Sequence, residues 1–318
     1  MSEPIISVAM SCYNEPFEWL KGAIDSILNQ TIQEIEFNIV IDRPDYPFES
    51  NLRSYVASDS RVNVVALNKN TGVANAKQTA IEMCNAPYIA LMDADDISLK
   101  NRFEVQLDFL NNNNHIDICG SWLKTFGSYE EVYKYPQKQK DFTLYLDSCI
   151  GCPTVMFRGT FLDKNPHFFN PQFRYGEDYE AWVRFFPKYR FENIPQVLLL
   201  YRISKTHVTK AKHNEMVRYI SRPRLDILNY YLSKAGLPTI NAPISFKDLS
   251  IVSNAPCFPR EHIGELLYRM LVSIPGLSLK DLYLQKKMGI LNRLSSKHWR
   301  RLLKHLIGLK RTPYYPIL

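Results

Sequence analysis

No run of about 18 apolar residues occurs in the chain, so a membrane-spanning helix is not expected. The opening stretch MSEPIISVAM has an acid and a proline but no basic segment followed by a long apolar run. It is not expected to be a secretory signal. Cysteine is sparse, with six in 318 residues, at 12, 84, 119, 149, 152 and 257. That excludes a disulfide scaffold and fits a reducing compartment. The only CxxC, Cys149 to Cys152, has no second pair and no nearby histidine, so it reads as structural thiols rather than a zinc site. Acid is missing from residues 282–318, which carry nine Lys/Arg, while the other 281 residues hold 30 basic and 32 acidic side chains. The net charge of +7 therefore belongs to the tail, and the main body is not expected to bind nucleic acid specifically.

What is present is enough for a large core. Hydrophobic residues make up 46% and charged residues 22%, which excludes global disorder. Apolar β-rich runs at 5–14, 36–44, 61–67 and 86–92 alternate with helical spacing at 15–31, 72–84 and 101–112. This alternation predicts βαβ units, with a mostly parallel sheet covered by helices on both faces. A helix is expected over 175–186 and a strand over 197–204, and beyond about 215 the chain reads helical with proline-marked breaks. The expected division is 1–215, in halves 1–110 and 111–215, followed by a helical, basic region 216–318.

Ligands of such sheets bind at the carboxyl ends of the strands. Ser11, Asp42 and the cluster Asp93, Asp95, Asp96 end three of these runs and should share one rim. Crowded carboxylates repel unless a cation sits among them, and oxygen ligands suit Mg²⁺ or Mn²⁺ bridging to a diphosphate. The cluster equally suits a turn or a helix cap. Asp42 suits an Asx-turn, and Lys77 suits a solvated helix position. Glu177 and Asp178, in a first helical turn, suit either the helix dipole or a general base.

In order, SVAMSCYNEPFEWLKGAIDSILNQT, NTGVANAK, YIALMDADD and YGEDYEAWVRF span about 180 residues. Over roughly residues 4–210 the chain resembles the inverting glycosyltransferases of family 2, of the bacterial surface-polysaccharide type. The resemblance implies a GT-A, Rossmann-like nucleotide-diphospho-sugar fold with a C-terminal helical extension. It implies transfer of a hexosyl or N-acetylhexosaminyl group from a UDP-sugar to a lipid-linked glycan acceptor, with Mn²⁺ or Mg²⁺ at the Asp-x-Asp motif. Carried over by position, Ser11 lines the nucleotide pocket, Asp42 faces the base and Lys77 stands where arginine is usual. Asp93 contacts ribose or the metal's water, Asp95 ligates the metal, Asp178 is the base and Glu177 orients or contacts the acceptor. Three positions depart from the family pattern. Asp42-Arg43-Pro44 replaces an Asp-Asp-Gly-Ser turn. Ser204 stands where histidine is frequent, leaving His207 as the candidate metal ligand, and Cys152 replaces another frequent histidine. Nucleotidyl transfer, or a non-catalytic nucleotide-sugar-binding role on the same fold, is the alternative.

Residues 291–311 place Leu291, Leu294, Trp299, Leu302, Leu303, Leu306 and Leu309 near one helical face amid basic residues. This suits an anionic membrane interface, a docked helix or a nonspecific nucleic-acid patch. Family context favours the membrane, at the cytoplasmic face of the inner membrane.

Overall fold

The computed structural model describes residues 3–204, 213–274 and 276–306. It divides into two units, Met1–Phe142 with Ser148–His207, and Thr143–Asp147 with Val208–Leu318. Thr143–Asp147 thus belongs to the second unit.

The first unit is built on one nine-stranded sheet. Its strands are β1 (Ile6–Cys12), β2 (Ile35–Ile41), β3 (Val62–Ala66), β4 (Tyr88–Asp93), β5 (Ile97–Ser98), β6 (Ile118–Gly127), β7 (Val132–Tyr133), β8 (Met156–Arg158) and β9 (Phe191–Ile203). They lie in the order β3-β2-β1-β4-β8-β6-β9-β5, with β7 beside β6. The β3-β2-β1-β4 half is wholly parallel, as the βα alternation requires. The other half is mixed. β8 runs antiparallel to both β4 and β6, β5 antiparallel to β9, and β6 parallel to β9. β8 has only three residues, too few for a crossover partner, and enters through the single turn Cys152–Thr154.

Helices cover both faces. On one, Ile6, Val8 and Met10 of β1 and Phe37 and Ile39 of β2 pack with α1 (Phe17–Leu28), α2 (Glu49–Val56) and α4 (Arg102–Asn112). The period of two in the strands puts these residues on one side. Leu20, Ala23, Ile24 and Ile27 form the buried stripe of α1, each large apolar side chain contributing roughly 1.5–3 kcal/mol. On the opposite face lies α3 (Val73–Glu82), whose carboxyl end takes the Asn38 amide at the Met83 carbonyl, 3.2 Å. The short helix α5 (Phe161–Lys164) and α6 (Glu177–Phe185) are fixed by an aromatic cluster. Phe168 stacks on Phe157 at 4.7 Å, and Phe161 meets Phe185 edge-on at 4.9 Å.

The second unit is helical: α7 (His213–Lys234), α8 (Phe246–Ser253), α9 (Arg260–Leu271), α10 (Leu279–Lys287) and α11 (Ser296–Leu306). None of the described helices is long and apolar enough to cross a membrane. In the basic tail Leu291, Leu294 and Leu302 are buried while Leu303 is exposed, and Glu265 of α9 binds Arg301 at 2.7 Å and Arg269 at 2.9 Å. Leu309 and the rest of 307–311 lie outside the described residues. The exposed apolar side chains lie mainly on α10 and just after it: Leu279, Tyr283, Leu284 and Met288.

Candidate active site

The parallel neighbours β2, β1 and β4 end together. Ser11 sits beside Val40 on one flank and Asp93 on the other, and the Asp42 amide bonds the Cys12 carbonyl at 2.8 Å. Ser11, Asp42 and Asp93 thus share one rim, as the strand ends suggested. Asp42 is buried and its carboxylate is engaged within the chain. It accepts the Thr71 amide at 2.7 Å, the Thr71 hydroxyl at 2.8 Å and the Gly72 amide at 2.9 Å. Gly72, at φ 87°, opens α3 with a conformation that disfavours a side chain. Asp42 therefore fixes the loop that launches the helix carrying Lys77.

Beyond β4 the chain turns and crowds its acids. Asp96 is fully buried; one carboxylate oxygen accepts the Arg202 amide at 2.8 Å, and the other has no hydrogen-bond partner among the described residues. Burial, then Asp95 and Asp93, push the Asp96 carboxyl well above the usual range. Asp95 is pushed up to about 7 by burial, Asp93 and Glu15. Glu15 joins this group from the loop after β1, where it caps the amides of Tyr13 at 2.7 Å and Asn14 at 3.1 Å; burial raises it too. Arg202 closes the cluster, donating Nε to the Asp95 carbonyl at 2.7 Å. Its guanidinium lies between the rings of Trp19 at 4.7 Å and Phe126 at 4.4 Å.

Lys77 ties this rim to α6. Its ammonium lies 3.1 Å from Asp93 Oδ1, 3.4 Å from Glu177 Oε1 and 3.7 Å from Cys152 Sγ. Burial opposes its charge, but Asp93, Cys152, Glu177 and Asp178 outweigh burial and hold its pKa well above the ordinary value. Gly176, at φ 72°, turns the chain into α6. Glu177 is buried and pushed up to about 7, by burial against the opposing pull of Lys77. Asp178, half-buried beside it, accepts the Tyr179 amide at 2.7 Å and is likewise raised by burial. The acidic rim and the acidic helix are one site with a lysine at its centre.

Among the described residues, no three or more of His, Cys, Asp and Glu converge to hold a metal by themselves. The donor set nonetheless fits a hard cation. Asp95 and Asp93 offer oxygen only, burial and neighbouring acids disfavour the charge of Asp95, and Mg²⁺ or Mn²⁺ is commonly held by one or two carboxylates plus phosphates and water. His207 lies outside the described residues. Sequence reasoning missed Glu15, Arg202 and the bridging role of Lys77, whose partners lie far away along the chain. It also missed Arg102, fully buried, which bonds the Leu91 carbonyl at 2.9 Å and holds β4 in place.

Comparison with known proteins gives this geometry a family. The profile of Glycosyl transferase family 2 matches residues 7–167, which contain the rim and Lys77; Glu177 and Asp178 follow the matched segment. A relative, the uncharacterized glycosyltransferase MJ1057 of Methanocaldococcus jannaschii, is 31% identical over 69% of this chain and 78% of its own. The UDP-Glc:alpha-D-GlcNAc-diphosphoundecaprenol beta-1,3-glucosyltransferase WfgD of Escherichia coli is 28% identical over 69% of this chain and 85% of its own. In fold, the chain is similar to S. aureus TarS 1-349 in complex with UDP-GlcNAc, with a TM-score of 0.59 and 14% identity over 95% of this chain and 92% of that one. The chain belongs to glycosyl transferase family 2 and is a glycosyltransferase.

Proposed function

We propose that this enzyme is a metal-dependent, inverting transferase that moves a hexosyl or N-acetylhexosaminyl group from a UDP-sugar to a hydroxyl of a lipid-linked surface glycan. The observation that carries the reading is Lys77, whose ammonium reaches both Asp93 and Glu177. It makes one site of a rim suited to a diphosphate and a helix suited to a base. WfgD, by its name, uses UDP-Glc and a diphosphoundecaprenol-linked acceptor, which supports the donor and acceptor classes.

In this reading Ser11 and the loop anchored by Asp42 line the nucleotide side, and Asp95 with Asp93 would hold Mn²⁺ or Mg²⁺. When bound, that cation offsets the charge that develops on the departing diphosphate. Asp178 accepts the acceptor hydroxyl's proton as its oxygen bonds the sugar's C1 and the bond from C1 to the diphosphate breaks. Attack from the face opposite UDP inverts the anomeric centre. Lys77 keeps Asp93 and Glu177 from repelling each other, and Glu177 fixes the start of α6.

The raised carboxyls give a pH test. Asp95 and Glu177, both up to about 7, bind protons in the folded chain that the unfolded chain has released above about 4. Their contribution to stability is full below that point and is lost as pH rises through 7. Metal-free protein should therefore melt progressively lower from pH 5 to 8. Mn²⁺ with UDP should raise the melting temperature by roughly 5 °C at pH 8 and far less at pH 5. A pH-independent response, or the same response to UDP in chelator, would contradict the metal role.

The membrane reading extends from the basic tail to α10. Leu279, Tyr283 and Met288 are exposed beside Lys280, Lys286 and Lys287, a combination that suits insertion at an anionic surface, where each basic residue contributes about 1 kcal/mol. The enzyme would then work peripherally at the cytoplasmic face of the inner membrane. Full-length protein should sediment with phosphatidylglycerol vesicles and lose roughly tenfold in partitioning when Tyr283 and Met288 become Glu. Partitioning unchanged by the substitutions, or absent at low salt, would count against it.

A further inference from the structure

The β6–β7 hairpin carries aromatic side chains that the catalytic site does not use. Tyr129, Val132 and Tyr133 are exposed by 45%, 40% and 39%, and the hydroxyls of Tyr129 and Tyr133 lie 3.2 Å apart. The hairpin is rigid. Thr125, buried in β6, exchanges two bonds with Glu131: Thr125 N to the Glu131 carbonyl at 2.8 Å, and Glu131 N to the Thr125 hydroxyl at 2.8 Å. Gly127 enters the turn at φ 99°, where a Cβ would lie 2.7 Å from the Ile203 carbonyl. The Trp122 indole donates to the Tyr135 carbonyl at 2.9 Å and has Lys134 over its ring.

This patch is continuous with the site. Leu123 pairs with Tyr133, and Tyr135 follows two residues beyond. Tyr135 and Leu123 both close over Gly151, where a Cβ would lie 3.2 Å from the Tyr135 hydroxyl and 3.1 Å from Leu123. The next residue, Cys152, is 3.7 Å from the Lys77 ammonium. On its other edge β6 pairs with β9, Thr125 beside Tyr201 and Phe126 beside Arg202.

We infer that the exposed face of this hairpin, running from Tyr129 and Tyr133 through Tyr135 to the Lys77 site, is the subsite that holds the glycan chain of the acceptor behind its reacting sugar. Rings with a polar tip suit sugars, whose faces are apolar C–H surfaces and whose rims are hydroxyls. Held by a rigid turn, these rings lose little freedom on binding. The inference rests on the acceptor being a glycan, as proposed above.

The test uses full-length protein on an array of bacterial surface oligosaccharides, with UDP affinity measured separately by calorimetry. Tyr129→Ser with Tyr133→Ser should lower glycan retention roughly tenfold and leave UDP affinity unchanged. Tyr129→Phe with Tyr133→Phe, which keeps the rings, should recover most of the retention. Equal retention by wild type and the serine variant, including none by either, overturns the inference while UDP binding still stands. Loss of UDP binding by the wild type would instead overturn the donor reading. Loss of binding to phosphatidylglycerol vesicles with no effect on glycans would assign the patch to a bilayer and also overturn it.

Discussion

Replacing Asp178 with Asn should reduce sugar transfer by roughly 10²–10⁴-fold, the contribution expected of a positioned general base, with UDP affinity unchanged. The asparagine keeps the shape and can still accept the Tyr179 amide, so the start of α6 should persist. It cannot take a proton from the acceptor. Because burial raises the Asp178 carboxyl above its ordinary value, the acidic limb of the wild-type rate profile should lie above the usual carboxylate range and disappear in the variant. Initial rates with donor and acceptor across pH, beside UDP titration by calorimetry, check both statements. Near-wild-type transfer by the variant would remove Asp178 from the base role.

Lys77→Met should be the most damaging change outside the proposed base and the proposed metal ligands themselves. It leaves Asp93 and Glu177 facing each other without the cation that now lies 3.1 Å and 3.4 Å from them. Removing one partner of a buried charge group costs about 3–5 kcal/mol; Asp93 retains some solvent contact, so about 2 kcal/mol is the appropriate scale here, a fall in melting temperature of roughly 5 °C. Transfer should fall by roughly 10²-fold or more, since Glu177 would then stay protonated through neutral pH and α6 would lose its tie to the rim. Lys77→Arg keeps the charge and adds the planar fork, and should retain most activity. Equal loss in both variants would show that fit rather than charge is what the position requires.

Much of this was legible in the sequence, and the reasons are local. Asp42 and Asp93 each end an apolar run, so strand alternation alone placed them on one rim. Glu177 and Asp178 open a helix whose Trp182 and Phe185 recur at helical spacing. The parallel half of the sheet followed from the βα alternation. The mixed half did not, because β8 has three residues and β9 changes register against β6 through a bulge. α2 escaped because eight residues with only Leu52 and Val56 buried carry little periodicity. Arg202 between Trp19 and Phe126, and Lys77 between Asp93 and Glu177, are products of tertiary packing with no local signature. In the tail, the burial of Leu302 and the pairing of Arg301 with Glu265 are tertiary in the same way.

The central claim is that the Asp95 rim and the Asp178 helix serve one displacement at C1. The most direct measurement is the anomeric configuration of the product made from an α-linked UDP-sugar, read from the one-bond and vicinal couplings of its anomeric proton. The account predicts a β-linkage; an α-linked product would contradict it.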